Sequence, residues 1–170
     1  MPLSRLISLF FFFIYLLILL KLTVFREPLP VMAGHFRHYH IKLFREGYFL
    51  ANFVPFKTIY YYLSLQEVAR NGIENIGGNM AVFLPFGLLF PLCFPRFKQF
   101  GKTVLAAFMT SLFLECLQLV FALGSFDVDD LLLNTVGGVI GYGILSFFIQ
   151  AKRDRHHKST HDNIQQRNLP

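Results

Sequence analysis

Residues Val104 to Leu123, VLAAFMTSLFLECLQLVFAL, form a nearly continuous apolar run with one carboxylate, Glu115, close to its middle. About twenty helical residues at about 1.5 Å each span roughly 30 Å, which matches the hydrocarbon core of a bilayer. An ionised carboxylate at that depth costs several kcal/mol unless it faces other helices, water or an opposite charge. The run therefore predicts a membrane-spanning helix that brings a buried polar group into a bundle.

The composition indicates that the chain contains further apolar helices besides this one. The chain has 170 residues, of which 54% are hydrophobic and 22 are phenylalanines, and its mean hydropathy is +0.49. The apolar residues are collected in long runs, which is typical of membrane proteins. The formal net charge is +6, but the basic residues flank these runs, so membrane topology and anionic lipid headgroups explain them. We find no nucleic-acid-binding motif and expect no nucleic-acid partner.

Four apolar runs are long enough to cross a bilayer as helices, at about residues 6–25, 75–94, 104–123 and 131–150. We therefore predict an all-α integral membrane bundle of four transmembrane helices in one domain over residues 1–150, with a partly structured outer loop after the first span. The tail, residues 151–170, is basic and poor in apolar residues, which predicts a disordered cytoplasmic end.

The basic residues predict that both termini are cytoplasmic. With the N-terminus inside, the cytoplasmic segments carry Arg5, the Arg96–Lys102 cluster and the basic tail, whereas the short loop Gly124–Asp130 has three Asp and no Lys or Arg. Cytoplasmic loops carry an excess of Lys and Arg, so this pattern favours N-in and C-in. The outer loop, Arg26–Gly72, also carries several basic residues, but long loops obey the rule less strictly.

Polar side chains on three of the predicted spans fall at one depth. Ser111, Glu115 and Gln118 share one stripe of the third span because they stand at helical spacing. In the N-in orientation, the polar ends of the second and fourth spans lie at the same outer level. We therefore expect a polar cluster in the outer half of the bundle, formed by Asn79, Glu115, Gln118, Asp127, Asp130 and Asn134. Lys57 would supply a counter-charge if the outer loop folds back over it.

Two further features bear on how the spans pack. Gly137, Gly138 and Gly141 continue the side of the fourth span that carries Asp130 and Asn134, and small residues at this spacing let helices approach closely. The Gly137–Gly141 pair would serve equally in a homo-oligomer or inside one bundle. Pro85 falls within the second span and should kink it.

Three interpretations of the polar cluster remain open. The amides and carboxylates could hydrogen-bond the helices together, could form a binding site open to the outer surface, or could include a general acid or base. The segment Asp127-Val-Asp129-Asp130 admits either a divalent cation or capping of a helix N-terminus, and capping is favoured. We find no nucleotide-binding loop, nucleophile elbow or zinc-protease helix, so we expect no cofactor and assign no catalytic residue or metal ligand.

The chain resembles the VanZ-like family. The resemblance rests on four motifs in the expected order, from about Asn52 to Tyr142: NFVPFKTI from Asn52, NIGGN through FLPFG from Asn75, ECLQ from Glu115, and FDVDD through NTVGG from Phe126. Pro55, Lys57 and the polar-cluster residues match the family's motif positions. Many members place an Arg shortly before the Asp cluster, whereas residues 122–125 contain none here.

The resemblance implies a small multi-span protein of a bacterial cell envelope, from a family whose founding member is associated with teicoplanin resistance. We expect a non-enzymatic protein of the bacterial plasma membrane that binds or shields a polar or lipid-linked envelope component through the polar cluster, with an effect on glycopeptide susceptibility. Its expected partners are membrane lipids and either a cell-wall lipid intermediate or a glycopeptide. The alternatives are a membrane enzyme acting on a lipid- or phosphate-linked substrate, and a structural or assembly subunit.

Overall fold

In the computed structural model, the described residues are 3–25, 30–34, 37–38, 51–64, 69–121 and 123–167, and only the backbone is described for 69–71 and 156–167. Most of this chain is helical. The elements, in chain order, are α1 (Leu3–Thr23), β1 (Ala51–Asn52), α2 (Lys57–Ser64), α3 (Ala69–Cys93), a short 3₁₀ helix (Pro95–Phe97), α4 (Phe100–Val120), β2 (Phe126–Asp127) and α5 (Val128–Arg167).

Four of these helices are long and apolar enough to cross a membrane: α1, α3 from Gly72, α4, and α5 as far as Arg155. Large apolar side chains such as Phe10, Phe13 and Phe113 are exposed on the bundle surface, as expected for residues that face lipid. The protein is therefore a multi-pass membrane protein, and the predicted all-α bundle is confirmed.

The helix ends differ from the predicted span limits by a few residues. Helix α4 begins at Phe100, before the predicted start at Val104, because its first turn is fixed by bonds to the preceding loop. The Thr103 hydroxyl donates to the Phe97 carbonyl over 2.8 Å, and the Thr103 N–H donates to the Gln99 carbonyl over 3.1 Å. The helix ends at Val120 because Phe121 leaves helical geometry.

The most extensive helix packing joins α3 to α5, and it is made at glycines. A Cβ atom at Gly137 would lie 2.1 Å from the Met80 carbonyl oxygen, and one at Gly141 would lie 2.0 Å from the Leu84 carbonyl oxygen. No side chain fits at such distances, so the two backbones are in direct contact. The glycine face predicted from sequence is thus an intramolecular contact between α3 and α5.

Helix α1 packs on α3 through aromatic rings. The Phe12 ring lies 5.8 Å from that of Phe86 and 5.9 Å from that of Phe94. Nearby, the Tyr15 hydroxyl donates to the Val82 carbonyl over 3.0 Å. This bond ties α1 to α3 close to Pro85, which has no N–H to offer the preceding turn.

The two ends of the bundle differ in charge. At one end the Arg5 side chain donates to the Cys93 carbonyl over 3.1 Å, and the Tyr142 hydroxyl donates to the Lys98 carbonyl over 2.8 Å. We call this the basic end because it also carries Arg96, Lys102, Lys152, Arg153 and Arg155. The other end carries Glu115, Asp127, Asp129 and Asp130, and we call it the acidic end.

Helix α5 continues beyond the bundle. Its backbone is helical to Arg167, where the composition predicts a disordered tail from residue 151. A preformed helix of many turns removes the cost of nucleation, and adding Lys, Arg and Gln residues to it costs little. The division into residues 1–150 and a separate tail stays a prediction.

Candidate functional site

The candidate site lies at the acidic end, where a segment between α1 and α3 folds back over the start of α5. Strand β1 pairs in parallel with β2, with Ala51 opposite Phe126 and Asn52 opposite Asp127. The Phe53 ring packs against that of Phe126 with their centres 5.3 Å apart. Residues 51–64, comprising β1, the following turn and α2, are called the cap segment below.

Asp129 fixes the turn of the cap segment from below. Its side chain is fully buried, and its carboxylate accepts the backbone N–H groups of Phe56, Thr58 and Ile59, the last two over 2.8 and 3.2 Å. The first N–H groups of a helix have no partner within the helix, and a carboxylate there also suits the helix dipole. Asp129 therefore caps α2 from 70 residues away in the chain.

The same contact stabilises an uncommon backbone conformation. Phe56 has a φ of 64°, in the left-handed region that costs a residue with a side chain roughly 1 kcal/mol or more. Its N–H points at Asp129 in this conformation. The hydrogen bond to a charged acceptor offsets that cost, so the turn keeps one defined shape.

Asp127 joins the cap segment to α5 through its side chain. One carboxylate oxygen accepts the Asp129 N–H over 2.9 Å, which caps the N-terminus of α5, and also the Asn52 amide over 3.1 Å. The other oxygen accepts the Thr58 hydroxyl over 2.6 Å. The Asn52 amide also donates to that hydroxyl over 3.0 Å. The capping of the following helix that the sequence favoured for at least one of these aspartates is thus observed at Asp127, whereas Asp129 caps the distant α2.

Glu115 lies beneath this layer on α4. Its exposed fraction is 3%, and one carboxylate oxygen accepts the Asp127 N–H over 3.0 Å. One turn deeper, the buried Asn134 amide on α5 donates to the Ser111 hydroxyl on α4 over 2.9 Å. The mid-membrane acid therefore faces the bundle interior and supports the layer that holds the cap segment.

The remaining polar-cluster residues bind neighbouring helices. The Asn79 amide on α3 donates to the Asp130 carboxylate on α5. The Gln118 amide on α4 donates to the Thr23 carbonyl at the end of α1 over 2.9 Å. Among the described residues, no buried side-chain nitrogen or oxygen lacks a hydrogen-bond partner. The residues predicted to form one cluster are therefore observed as separate hydrogen-bonded pairs, which between them join all four spans.

Lys57 lies apart from these pairs. The cap segment does fold back over the start of α5, as the counter-charge hypothesis required, but the Lys57 side chain is exposed on it. A function for Lys57 and for the polar cluster stays a prediction.

Asn52, Thr58 and Asp129 belong to this layer but were not among the candidate site residues predicted from the sequence. The signal for Asp129 was weak because its partners lie in a distant segment, and capping in trans leaves no local spacing pattern. Asn52 and Thr58 stand within the NFVPFKTI motif, where a turn followed by a polar residue could have indicated a buried contact.

No group of three or more His, Cys, Asp or Glu side chains in the part of the chain that the structure describes has the arrangement of a metal site. The oxygens of Asp127 and Asp129 accept N–H and O–H donors of the protein itself. What the acidic layer can do chemically is hold the cap segment in one position.

The cap segment presents an exposed aromatic surface. Phe53 and Phe56 are each 64% exposed, Tyr60 is 73% exposed, and Tyr61 is more than half exposed. The exposed Lys57 lies among them. Tyr rings are enriched where a bilayer meets water. We call the exposed surface formed by Phe53, Phe56, Lys57, Tyr60 and Tyr61 the aromatic face.

The chain matches known proteins over most of its length. The family model described as VanZ/LLP1 matches residues 12–149, which include the cap segment, α3, α4 and the larger parts of the α1 and α5 spans. A curated relative, Protein VanZ of Enterococcus faecium, is 34% identical over 90 residues, which is 50% of this chain and 54% of the relative. The chain thus spans about half the length of that relative.

No solved structure matches the chain. Since the family model covers well over half of the 170 residues, the chain belongs to the VanZ/LLP1 family of membrane proteins.

Proposed function

We propose that this chain is a non-enzymatic protein of the bacterial plasma membrane that binds or shields a polar, lipid-linked component of the cell envelope. The binding surface is the aromatic face of the cap segment, with Lys57 as its cation. The buried carboxylates beneath it position this surface and do not touch the ligand.

The observation that carries the proposal is the capping of α2 by Asp129. A buried carboxylate whose oxygens accept three N–H groups holds the cap segment in one conformation across the end of the bundle. Preorganised surfaces bind with a smaller entropic cost than flexible ones. A loop that served only to connect two spans would gain nothing from a buried charge of this kind, which is costly to bury.

The composition of the aromatic face supports a lipid-linked ligand. Its rings would lie at headgroup level, and Lys57 adds a positive charge that suits a phosphate or pyrophosphate linkage. A ligand with one apolar part and one anionic part would contact both the aromatic rings and the Lys57 ammonium group. Stacking of a cation or a sugar on exposed Tyr rings is compatible with the same surface.

We further propose that the acidic end faces outwards and the basic end faces the cytoplasm. The support is the charge difference between the two ends of the bundle, since cytoplasmic loops carry the excess of Lys and Arg. In that orientation the aromatic face meets the outer leaflet. The resemblance to a family associated with teicoplanin makes glycopeptide susceptibility the phenotype to measure.

The proposal is tested by binding of the purified full-length protein to two probes, a lipid-linked disaccharide-peptide pyrophosphate in nanodiscs and soluble teicoplanin. The double variant Lys57→Ala/Tyr60→Ala removes the cation and one exposed ring. We expect it to bind the probe at least about tenfold more weakly than the wild type, since each contact contributes on the order of 1 kcal/mol. Teicoplanin susceptibility of cells expressing each form is the second readout.

The matched control is Lys152→Ala/Phe148→Ala, which removes an exposed cation and an exposed ring at the basic end. It should bind both probes like the wild type. Equal losses in the two variants, or no binding of either probe by the wild type, would contradict the proposal. Conversion of the lipid-linked probe to a product would support the enzymatic alternative, and stoichiometric co-purification with another membrane protein without probe binding would support the assembly alternative.

A further inference from the structure

A cavity of about 300 Å³ lies at the basic end, at the opposite end of the bundle from the cap segment. It is bounded by the end of α3, by Lys98 in the loop before α4, and by one stripe of α5. The stripe runs from Tyr142 through Ser146 and Gln150 to Arg153, positions that share one side of a helix. At about 1.5 Å per residue it is roughly 16 Å long.

The cavity exists because α5 extends past its neighbours. The Tyr142 hydroxyl bonds to the Lys98 carbonyl, and its ring lies 5.5 Å from that of Phe100, so the loop and the start of α4 lie level with Tyr142. Beyond this level α5 continues through residues 144–149, all of which are apolar except Ser146. Phe147 and Phe148 there are 70% and 64% exposed. The continuation leaves an open angle between α5 and the end of α3.

The walls of this angle are amphipathic. Leu92, Leu145 and Ile149 supply apolar lining, Ser146 and Gln150 supply hydrogen-bonding groups, and Lys98 and Arg153 supply two cations. None of the described residues that line the cavity is acidic. Asp154 follows Arg153 in the chain but does not line the cavity. Two like charges that line one cavity repel each other, and an anion bound in the cavity relieves that repulsion.

We propose that this cavity binds one anionic phospholipid, with its phosphate between Lys98 and Arg153 and an acyl chain along Leu145 and Ile149. The occupant is identified by the complementarity of both parts: a phosphate oxygen accepts from the guanidinium and the ammonium, and the chain covers apolar surface that the neighbouring helices leave bare. The Ser146 hydroxyl and the Gln150 amide are placed to bond glycerol or headgroup oxygens. The site does not depend on the function proposed for the acidic end.

The test uses the delipidated full-length protein and native mass spectrometry, with phosphatidylglycerol and phosphatidylcholine as probes. We expect the wild type to retain one phosphatidylglycerol at a concentration at least about tenfold lower than that needed for phosphatidylcholine, because each basic residue near a phosphate contributes favourably. Lys98→Gln/Arg153→Gln should lose this preference. Lys102→Gln/Arg155→Gln, which removes the same charge from exposed positions at the same end, should keep it.

A third variant tests the cavity itself. Ser146→Phe fills the space without changing any charge, so it should weaken retention of phosphatidylglycerol by a similar factor while the helical content stays that of the wild type. Equal retention of the two lipids by the wild type, or equal losses in the two charge variants, would overturn the proposal. Displacement of the lipid by millimolar glycerol phosphate would overturn the assigned acyl contact, and a lipid-free dimer that Ser146→Phe disrupts would assign the cavity to a second copy of the chain.

Discussion

At the scale of single residues, the molecule depends on where it places its carboxylates. Glu115, Asp127 and Asp129 are buried, at exposed fractions of 3%, 9% and 0%, and each accepts hydrogen bonds from another segment or from the next helix turn. Burying a carboxylate without partners costs free energy. When its oxygens accept hydrogen bonds, the carboxylate instead holds the donor groups in one geometry. Asp129 is the clearest case because it fixes a segment far from it in sequence.

Replacing Asp129 by Asn should loosen the cap segment. The amide cannot accept three N–H groups and offers its own N–H group to them, so we expect the free energy of unfolding in detergent micelles to fall by about 2–3 kcal/mol. Amide hydrogen exchange in residues 53–62 should become about 30-fold faster, while exchange in α4 changes less. Asp154→Asn, which neutralises an exposed carboxylate on the same helix, should stay within about 0.5 kcal/mol of the wild type.

At the scale of elements, the α3–α5 contact is the one in which backbone meets backbone. The glycines involved were visible in the sequence, and their role as a packing face followed from their spacing. The partner helix was not visible, because a stripe of small residues fits a second copy of the chain as well as a neighbouring helix. The structure resolves this by placing Gly87 of α3 against the Gly138 carbonyl of α5.

Gly141→Ala should separate these two helices. The added methyl group would lie 2.0 Å from the Leu84 carbonyl oxygen, so the backbones must move apart, and we expect a loss of more than about 2 kcal/mol in the free energy of unfolding. The control is Gly143→Ala on the same helix, where nothing lies within 4 Å of the new atom. It should leave stability unchanged or raise it by up to about 1 kcal/mol. Equal losses at both positions would contradict the packing described.

The short strands show what the sequence could not reveal about its elements. Helices of membrane length are predicted by their apolar runs. Strands β1 and β2 have only two residues each, which is too short to show the alternation of apolar and polar residues that indicates a strand. Their pairing depends on contacts across 75 residues, such as that between Asn52 and Asp127. Both motifs are visible in the sequence, but a contact between them was expected only if the loop folded back and brought Lys57 over the polar cluster.

At the scale of the whole molecule, the chain is a bundle with two different ends. The acidic end is closed by the cap segment, and the basic end is open along α5. Composition and the distribution of Lys and Arg were enough to predict the fold class and this polarity. The extension of α5 beyond the bundle was not predicted, because the composition of a polar stretch alone indicates disorder. The preceding helix supplies the nucleus from which such a stretch can continue as a helix.

The proposed orientation makes the two ends distinguishable in cells. In a background with Cys93→Ala and Cys116→Ala, Ser125→Cys places a thiol at the exposed acidic end and Lys102→Cys places one at the exposed basic end. A membrane-impermeant maleimide should label Ser125→Cys in intact cells and Lys102→Cys only after permeabilisation. The reverse pattern would place the cap segment in the cytoplasm and contradict the proposed binding of an outer envelope component.

The central claim is that the cap segment lies fixed on the start of α5, and cross-linking in native membranes tests it most directly. Ala51 and Phe126 are partners in parallel strands, where Cα atoms about 4.8 Å apart meet the requirement for a disulfide. In the same cysteine-free background, Ala51→Cys/Phe126→Cys should form this disulfide under mild oxidation, detected by mass spectrometry of the digested protein, whereas Ala51→Cys/Lys102→Cys should not. A protein whose Ala51→Cys/Phe126→Cys form stays reduced, or links no more readily than that control, would show that the outer loop does not close the bundle.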